Sequence, residues 1–273
     1  MWRRSPVVAG SFYPSNPQRL TSDIDTYIKK AGKTAIKETL YGLVVPHAGY
    51  IYSGPVAAYS YAQLAGSGVE VAVVLAPSHR ARFDGASIIP SGIFETPLGD
   101  VTIDATLGDE LMKQPHIDFI KEAHLQEHSL EVQVPFLQRV LGAFTLVPII
   151  IGSIDIDVCA DLAKEIAAVL AHEKRKYVVV ISTDLSHYYS YERAKQMDGL
   201  FIDTLKSFDA EKLYGVLGSE KAQACGEGPV LTGMMLTGML GAKNVHILKY
   251  ANSGDTAGPR DQVVGYCAAA ITG

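Results

Sequence analysis

Histidines follow three apolar runs of the sequence, each near the point where the run ends. His47 comes directly after LVVP, His79 after VVLAPS, and His187 closes VVVISTDLSH, a run that also carries Asp184. Imidazole nitrogens bind iron, copper, nickel and zinc. One histidine after a strand is unremarkable, but three in the same relative place indicate one shared, metal-capable site.

A third ligand of such a site must be anionic or soft, and two loops offer one. Asp184 is the carboxylate candidate, and Cys225 in QACGEGP is the thiolate candidate, with Glu227 in the same loop. A helix is predicted to begin near Pro229, so its first N–H groups are expected to lower the pKa of the Cys225 thiol. The flanking glycines are expected to let the backbone approach a ligand closely. The alternative is a buried, inert thiol.

Proton transfer is the chemistry predicted for the segment EHSLEVQVPF, which starts at Glu127. His128 is a candidate acid or base because a histidine titrates near neutral pH. Glu127 and Glu131 fall on neighbouring turns if the segment is helical. The alternative is structural, with Ser129 or His128 capping a helix.

Strand and helix patterns alternate along the chain, and these elements must position the candidate residues. Apolar and β-branched runs predict strands at 43–46, 69–76, 144–151, 177–181, 245–251 and 262–271. Helical spacing predicts helices at 16–30, 54–64, 130–141, from Asp155 or Asp157 to 169, 191–208 and 229–240. The turn-rich segment 86–104 predicts a hairpin excursion from the sheet.

The alternation predicts one α/β domain over residues 1–273, with a central, largely parallel or mixed sheet flanked by helices. In open α/β sheets, ligands bind at the carboxyl ends of the strands. The histidines and Asp184 follow strands, so they are expected to meet at one edge of this sheet.

Composition excludes several other classes of protein. The net charge of −5 gives no electrostatic reason to bind nucleic acid or an anionic membrane. The short basic runs Trp2–Arg4 and Lys174–Lys176 are predicted to be solvated. Three scattered cysteines without CxxC spacing indicate a reducing, cytoplasmic location. The sequence shows neither the apolar core of a secretory leader nor a run of roughly 20 apolar residues that would span a bilayer.

Six segments resemble the Memo family, whose members include system protein B of the "AmmeMemoRadiSam" gene neighbourhoods. They are Ala9–Pro14, Val45–Gly54, Ala76–His79, Glu127–Glu131, Ser182–Tyr188 and Ala224–Gly226. They occur in order along nearly the whole chain. The resemblance implies a fold similar to that of class III (LigB-type) extradiol ring-cleaving dioxygenases, which hold non-haem Fe(II) with two histidines and a carboxylate.

The resemblance implies that His47, His79 and Cys225 are the metal ligands. Asp184 and His187 would line the same pocket, and His128 would correspond to the acid/base histidine of the dioxygenases. Iron (Fe2+) is the cofactor expected first and copper second, because a thiolate in place of a carboxylate alters redox potential and favours softer ions. The same change argues against standard catechol cleavage.

Three functional hypotheses follow. The first is a metal-dependent redox or dioxygenase-like enzyme, with His128, His187 and Asp184 in catalytic roles and radical-SAM and AMMECR-type proteins as system partners. The second is a non-catalytic module that binds a peptide or partner in a pocket lined by tyrosines. The third is a thiol enzyme with Cys225 as the nucleophile. The tyrosines of the second hypothesis are Tyr50, Tyr52, Tyr188 and Tyr189. The sequence leaves substrate and oligomeric state open.

Overall fold

The computed structural model describes residues 2–273 as an α/β fold. The strands are β1 (Trp2–Arg4), β2 (Leu40–Val45), β3 (Val71–Pro77), β4 (Ala86–Ile88), β5 (Gly92–Thr96), β6 (Gly99–Ile103), β7 (Ile117–Asp118), β8 (Thr145–Ile151), β9 (Tyr177–Ser182), β10 (His187–Tyr189), β11 (Asn244–Asn252) and β12 (Val263–Thr272). The helices are α1 (Pro17–Ala31), α2 (Tyr50–Tyr61), α3 (Ala105–Leu111), α4 (Lys121–Leu125), α5 (Val134–Leu141), α6 (Ile156–Leu170), α7 (Tyr191–Lys206), α8 (Ala210–Gly218), α9 (Glu227–Met239) and α10 (Ser253–Thr256). Short 3-10 turns cover Ala62–Leu64 and Glu131–Gln133.

One mixed sheet joins the strands found within residues 2–273. Its order is β1-β5-β6-β8-β3-β9-β2-β12-β10, with β11 paired to β12 and β4 paired to β8 and β7. The neighbours β6, β8, β3, β9 and β2 run parallel, and β12 runs antiparallel to β2. The predicted fold class, a largely parallel or mixed sheet flanked by helices, is confirmed.

Both faces of the central strands are buried, as their continuous apolar runs require. Every residue of β3 is buried, and in β9 only Tyr177 at its start is partly exposed. Helices α6 and α9 cover one face of the sheet, and α1, α2 and α5 cover the other. The strands are therefore rigid supports for the loops that follow their carboxyl ends.

Two predicted helix starts are confirmed by their caps. The Asn16 side chain accepts a hydrogen bond from the Arg19 N–H at 2.9 Å, one turn into α1. At α6 the cap is Asp155, whose carboxylate accepts from the N–H groups of Asp157 and Val158. These side chains satisfy N–H groups that the helix itself leaves unpaired.

The predicted start of α2 at Gly54-Pro55 is wrong, because the helix begins four residues earlier at Tyr50. Gly54 serves packing instead. A Cβ at this position would lie 2.8 Å from the Cε2 atom of Tyr27 in α1. Glycine therefore allows the two helices to approach each other closely.

The segment 86–104 does contain a hairpin, formed by β5 and β6. It is not an excursion, however. Strand β6 pairs in parallel with β8, and β4 pairs antiparallel with β8. The turn-rich composition indicated the hairpin correctly but gave no sign that β6 of the hairpin, and β4 before it, pair with β8 in the main sheet.

The prediction that Trp2–Arg4 is solvated is wrong for Arg4, which is 3% exposed and ends strand β1. Its guanidinium forms an ion pair with the fully buried Glu131 and donates to the carbonyls of His124 and Glu127. The Glu131 carboxylate also accepts from the Tyr13 hydroxyl at 2.6 Å. A buried cation is retained here because a buried anion and carbonyl oxygens satisfy its donors.

Across residues 2–273, none of the helices is both long enough and apolar enough to cross a membrane.

Candidate metal centre

The predicted strand-end residues do lie along one edge of the sheet. His47 follows β2, His79 follows β3 and Asp184 follows β9, three strands that are neighbours in the sheet. The ring centroids of His47 and His79 are 5.3 Å apart. Cys225 reaches the same edge from the loop before α9, and its Sγ atom lies 3.0 Å from Nε2 of His47.

His47 is buried, and its surroundings determine which ring nitrogen carries the proton. The Ser182 hydroxyl donates its single hydrogen to the Ser129 carbonyl at 2.8 Å. The same Ser182 oxygen lies 2.8 Å from His47 Nδ1, so it accepts the Nδ1 hydrogen and leaves Nε2 with a free lone pair. Burial, followed by the charges of neighbouring histidines, lowers the pKa of His47 well below its ordinary value. His47 is therefore neutral and presents Nε2, as a metal ligand must.

His79 is oriented in the same way, but by a carboxylate. Its Nδ1 lies 2.9 Å from Oε1 of Glu127, and its backbone N–H donates to the other oxygen of Glu127 at 2.6 Å. Burial opposes ionisation of Glu127, but the hydrogen bonds from His79 and from backbone N–H groups outweigh it and lower the pKa of Glu127 to about 2. An ionised carboxylate only accepts, so His79 donates from Nδ1, and Nε2 is the ring nitrogen that does not face Glu127.

His128 lies against the same group of rings. Its ring stacks on His79 at 4.8 Å with an interplanar angle of 21°, and on its other side it contacts Phe12 at 4.8 Å. Burial lowers the pKa of His128 to about 4, although the charge of Glu127 opposes that shift. His128 is thus unprotonated at neutral pH, able to accept a proton rather than to supply one. It does not cap a helix, and neither does Ser129, whose hydroxyl donates to the Pro77 carbonyl.

Asp184 and Cys225 are held together by their backbones. The Cys225 N–H donates to the Asp184 carbonyl at 3.1 Å, and the Asp184 N–H points at the Cys225 sulfur at 3.3 Å. Burial raises the pKa of Asp184 to about 7, against the hydrogen bond from the His47 N–H. Burial, followed by the charge of Asp184, raises the pKa of the Cys225 thiol well above its ordinary value. The expected lowering by the start of α9 is therefore wrong, because the cost of burying a thiolate exceeds the effect of the helix.

The glycines of the cysteine loop have a different purpose from the one predicted. A Cβ on Gly226 would lie 2.4 Å from the Ser182 carbonyl oxygen, and one on Gly228 would lie 2.2 Å from that of Ser153. Glycine lets this loop approach the ends of two strands, rather than a ligand. That close approach brings Cys225 next to His47.

Two overlapping groups of ligand atoms, each within 4.8 Å of one another, occur in the part of the chain that the structure describes. They are His47, His79 and His128, and His47, Asp184 and Cys225. His47 belongs to both groups, and neither group contains both His79 and Cys225. The structure therefore assembles most of the predicted site, with the two imidazoles on one side of His47 and the thiol and carboxylate on the other.

His187 and Glu227 lie outside both groups. The Nδ1 of His187 donates to the Leu185 carbonyl at 2.7 Å, and burial lowers its pKa. Its Nε2 is therefore available, although not within the ligand groups. Glu227 begins α9 and its pKa is raised by burial.

Sequence reasoning did not assign roles to Ser182 or Phe12, and it treated Glu127 as a partner in acid/base chemistry. Ser182 orients His47, Glu127 orients His79, and Phe12 contacts His128. A signal existed for Ser182, since it directly precedes the loop that carries Asp184. For Phe12 the signal was its place in the segment Ala9–Pro14, which resembles the Memo family, but a separation of 116 residues in sequence gave no sign of its contact with His128.

The chain is similar over nearly its whole length to a known group of proteins. A family model described as "Memo-like protein" matches residues 4–270. A MEMO1 family protein of Desulfurococcus amylolyticus is 39% identical over 279 residues, which cover 98% of this chain and 98% of that protein. MEMO1 family proteins of Sulfolobus acidocaldarius, 39% identical with 96% and 97% covered, and of Saccharolobus solfataricus, 40% identical with 98% and 98% covered, are similarly related.

Proposed function

This chain belongs to the Memo family, and from that premise we propose that it is a metal-dependent redox protein whose ion is held by His47, His79 and Cys225. The observation that carries the proposal is the anchoring of both histidines through Nδ1, which leaves Nε2 of each ring as the nitrogen that can face an ion at the same edge of the sheet. Metal-binding histidines characteristically donate their other ring N–H to such a partner.

The donor set fits a transition metal better than Mg2+ or Ca2+, which prefer oxygen. Two imidazoles with a carboxylate nearby suit non-haem iron, and a thiolate suits copper, so iron is our first expectation and copper the second. Either ion would supply one-electron chemistry and an open position for O2 or a small organic substrate. The high pKa of the Cys225 thiol does not oppose this, because a bound metal deprotonates a coordinating thiol.

The protein residues around the ion would move protons. His128 is neutral and has a free nitrogen, so it can accept a proton from a bound group. The Asp184 carboxyl, with a pKa of about 7, can hold or release one near neutral pH. His187 presents Nε2 at the rim and is our third candidate for proton transfer. We further propose that residues 1–273 act as one domain and that radical-SAM and AMMECR-type proteins are its system partners.

The proposal is tested by purifying the protein anaerobically and measuring bound metals with their redox state. His47→Ala, His79→Ala and Cys225→Ser should each lower the metal content, whereas the matched control His172→Ala, on a different edge of the fold, should not. Unchanged metal content in all three ligand variants would refute the proposal.

A non-catalytic binding module is the second candidate, and one observation favours it. Two large apolar or aromatic side chains, Ile51 in α2 and Tyr188 in β10, are 62% and 69% exposed. Tyr50 would not contribute, because it is buried and donates its hydroxyl to the Val132 carbonyl. Bound metal without O2 consumption in the presence of phenols or thiols would favour this candidate. The third hypothesis, a Cys225 nucleophile, is disfavoured because burial raises the pKa of the thiol.

A further inference from the structure

A cavity lies at the amino ends of the central strands, away from the candidate metal centre. Its volume is about 270 Å³, and its lining includes Leu40, the first residue of β2, and Val178 near the start of β9. His47 follows the other end of β2. Since a strand rises about 3.3 Å per residue, the cavity and His47 are roughly 20 Å apart. Its lining residues are distinct from those of the metal centre.

Two lysines that line this cavity converge on one short loop. Lys33, which follows α1, donates to the Ala65 carbonyl at 2.8 Å, and Lys176, which precedes β9, donates to the Ser67 carbonyl at 2.8 Å. An ammonium group has three N–H donors, so each lysine keeps two for a further partner. The two positive charges are thus held beside the same cavity by backbone carbonyls.

The nearby carboxylates have other partners than these two ammonium groups, neither of which forms an ion pair within residues 2–273. Glu38 lines the cavity, but its Oε1 atom lies 3.3 Å from Nε2 of His246 and its Oε2 atom accepts from the Lys37 N–H. Glu70 accepts from the backbone N–H of Lys176. An anion in the cavity would relieve the repulsion between the two cations.

Gln63 also lines the cavity, and its hydrogen bonding is incomplete. The residue is 6% exposed, and its amide N–H donates to the Tyr59 carbonyl at 2.9 Å. The side-chain oxygen of Gln63 has no hydrogen-bond partner within the part of the chain that the structure describes. A buried acceptor without a donor is unfavourable. A hydroxyl group of a bound molecule would supply that donor.

We propose that this cavity binds a small phosphate monoester whose alcohol part carries a further hydroxyl group. Lys33 and Lys176 hold the phosphate, and Gln63 accepts a hydrogen bond from the hydroxyl. A phosphate monoester suits two ammonium groups better than a single carboxylate does, because it carries a charge of about −1.5 to −2. The volume of the cavity restricts the ligand to a small molecule. The proposal does not depend on the metal centre.

Glycerol 3-phosphate and propyl phosphate are suitable probes, because they share a phosphate and three carbon atoms but only the first has hydroxyl groups. Both are titrated calorimetrically into the full-length protein. The wild type should bind glycerol 3-phosphate about fivefold more tightly, as expected for one neutral hydrogen bond. Gln63→Met should abolish this preference. Lys33→Met and Lys176→Met should each weaken binding of both probes about 3- to 10-fold.

The controls separate this cavity from general charge effects and from the metal centre. Lys37→Met changes an exposed lysine of the same segment that does not line the cavity, and it should leave both affinities unchanged. His47→Ala should also leave them unchanged. Lys33 and Lys176 are exposed, so their replacement should not prevent folding.

Three results would overturn the proposal. The first is the absence of binding of either probe at millimolar concentration. The second is equal weakening in Lys37→Met and Lys33→Met, which would indicate a general effect of charge. The third is loss of binding in His47→Ala, which would locate the probes at the metal centre. A preference for glycerol 3-phosphate that survives in Gln63→Met would refute the role of Gln63.

Discussion

Glu127 and Glu131 are two buried carboxylates in one segment, and their surroundings differ completely. Glu131 forms an ion pair with Arg4 and also accepts from Tyr13 and from the N–H groups of Val7 and Val8. Glu127 has no such cation. Its partners are the His79 ring, the His79 backbone and the N–H groups that follow it.

The partners of Glu131 give its charge a structural role, whereas the charge of Glu127 lies beside a candidate metal ligand. Around Glu131 the negative charge is fully matched, and its contacts fasten the N-terminal segment to the core. Around Glu127 the charge is stabilised by hydrogen bonds from backbone N–H groups and by the His79 ring, which it can in turn polarise. Identical residue types four positions apart therefore have different partners, one in a structural ion pair and one beside a candidate metal ligand, and four experiments examine that division.

The largest effect is expected on removing the cation of the structural pair. Arg4→Met leaves Glu131 charged and buried without its partner, which should cost about 3–5 kcal/mol of unfolding free energy. Urea denaturation measures it. Arg3→Met is the matched control, because the adjacent Arg3 pairs with partly exposed Glu95 and exposed Asp100, and its loss should cost at most about 1 kcal/mol. Comparable losses in both variants would contradict the comparison.

Removing the charge of Glu127 should instead affect the metal. Glu127→Gln keeps the shape of the side chain but weakens its bond to His79, and metal affinity should fall about 10- to 100-fold. Competition with a chromophoric chelator measures this. Glu122→Gln, an exposed position in α4, is the control and should leave affinity unchanged. If the Glu127→Gln protein had wild-type metal affinity but lowered stability, Glu127 would have the same structural role as Glu131, contrary to the comparison.

The pH dependence of stability should report on the Arg4 side of the comparison. Burial, followed by the charge of Arg4, lowers the pKa of His124 from 6.5 to about 3. Below pH 6.5 the unfolded chain binds a proton at His124 that the folded protein does not. The burial of neutral His124 therefore costs the protein no stability above pH 6.5. As the pH falls from 6.5 toward 3, the free energy of unfolding decreases, by about 2 kcal/mol at pH 5.

His124→Gln should show a smaller loss of stability between pH 7 and pH 5 than the wild-type protein, when both are metal-free. Urea midpoints at several pH values measure the difference. Parallel pH profiles for the two proteins would show that His124 is not held neutral.

The smallest effect is expected where a neutral group, rather than a carboxylate, orients a histidine. Ser182→Ala removes the acceptor of the His47 Nδ1 hydrogen, a neutral hydrogen bond worth about 1 kcal/mol. Metal affinity should fall about fivefold, less than in Glu127→Gln. Thr183→Ser, at the next position, is the control. A larger loss in Ser182→Ala than in Glu127→Gln would reverse the order of importance of the two anchors.

Local patterns predicted what local physics determines. The central strands were visible because both of their faces are buried, and the caps of α1 and α6 were visible because Asn16 and Asp155 act on the residues directly after them. The start of α2 was predicted wrongly because Gly54 does not mark a helix start; it packs against Tyr27 in another helix. Distant packing of that kind leaves no periodic signal in the sequence.

Some features of the candidate site could likewise be predicted from local sequence, and others could not. Strand-end position nominated His47, His79, Asp184 and His187. The proximity of the first three follows from sheet order, whereas His187 lies outside both ligand groups. The burial of Arg4 and the direction of the Cys225 pKa shift could not be read from residue type, because both depend on long-range packing around the group. Residue type shows which side chains can carry a charge, but it does not show how far the folded protein buries each of them.

The close contact between His47 and Cys225 joins residues that are 178 positions apart in the chain. Strand β2, which carries His47, pairs on one side with β9 and on the other with the last strand, β12. Throughout synthesis, β2 therefore keeps an open edge until the C-terminal strand emerges. Pairing over such sequence distances slows folding and leaves the edge open to association with other chains. A chain that lacks β12 should consequently associate with other chains more readily than the full-length protein does.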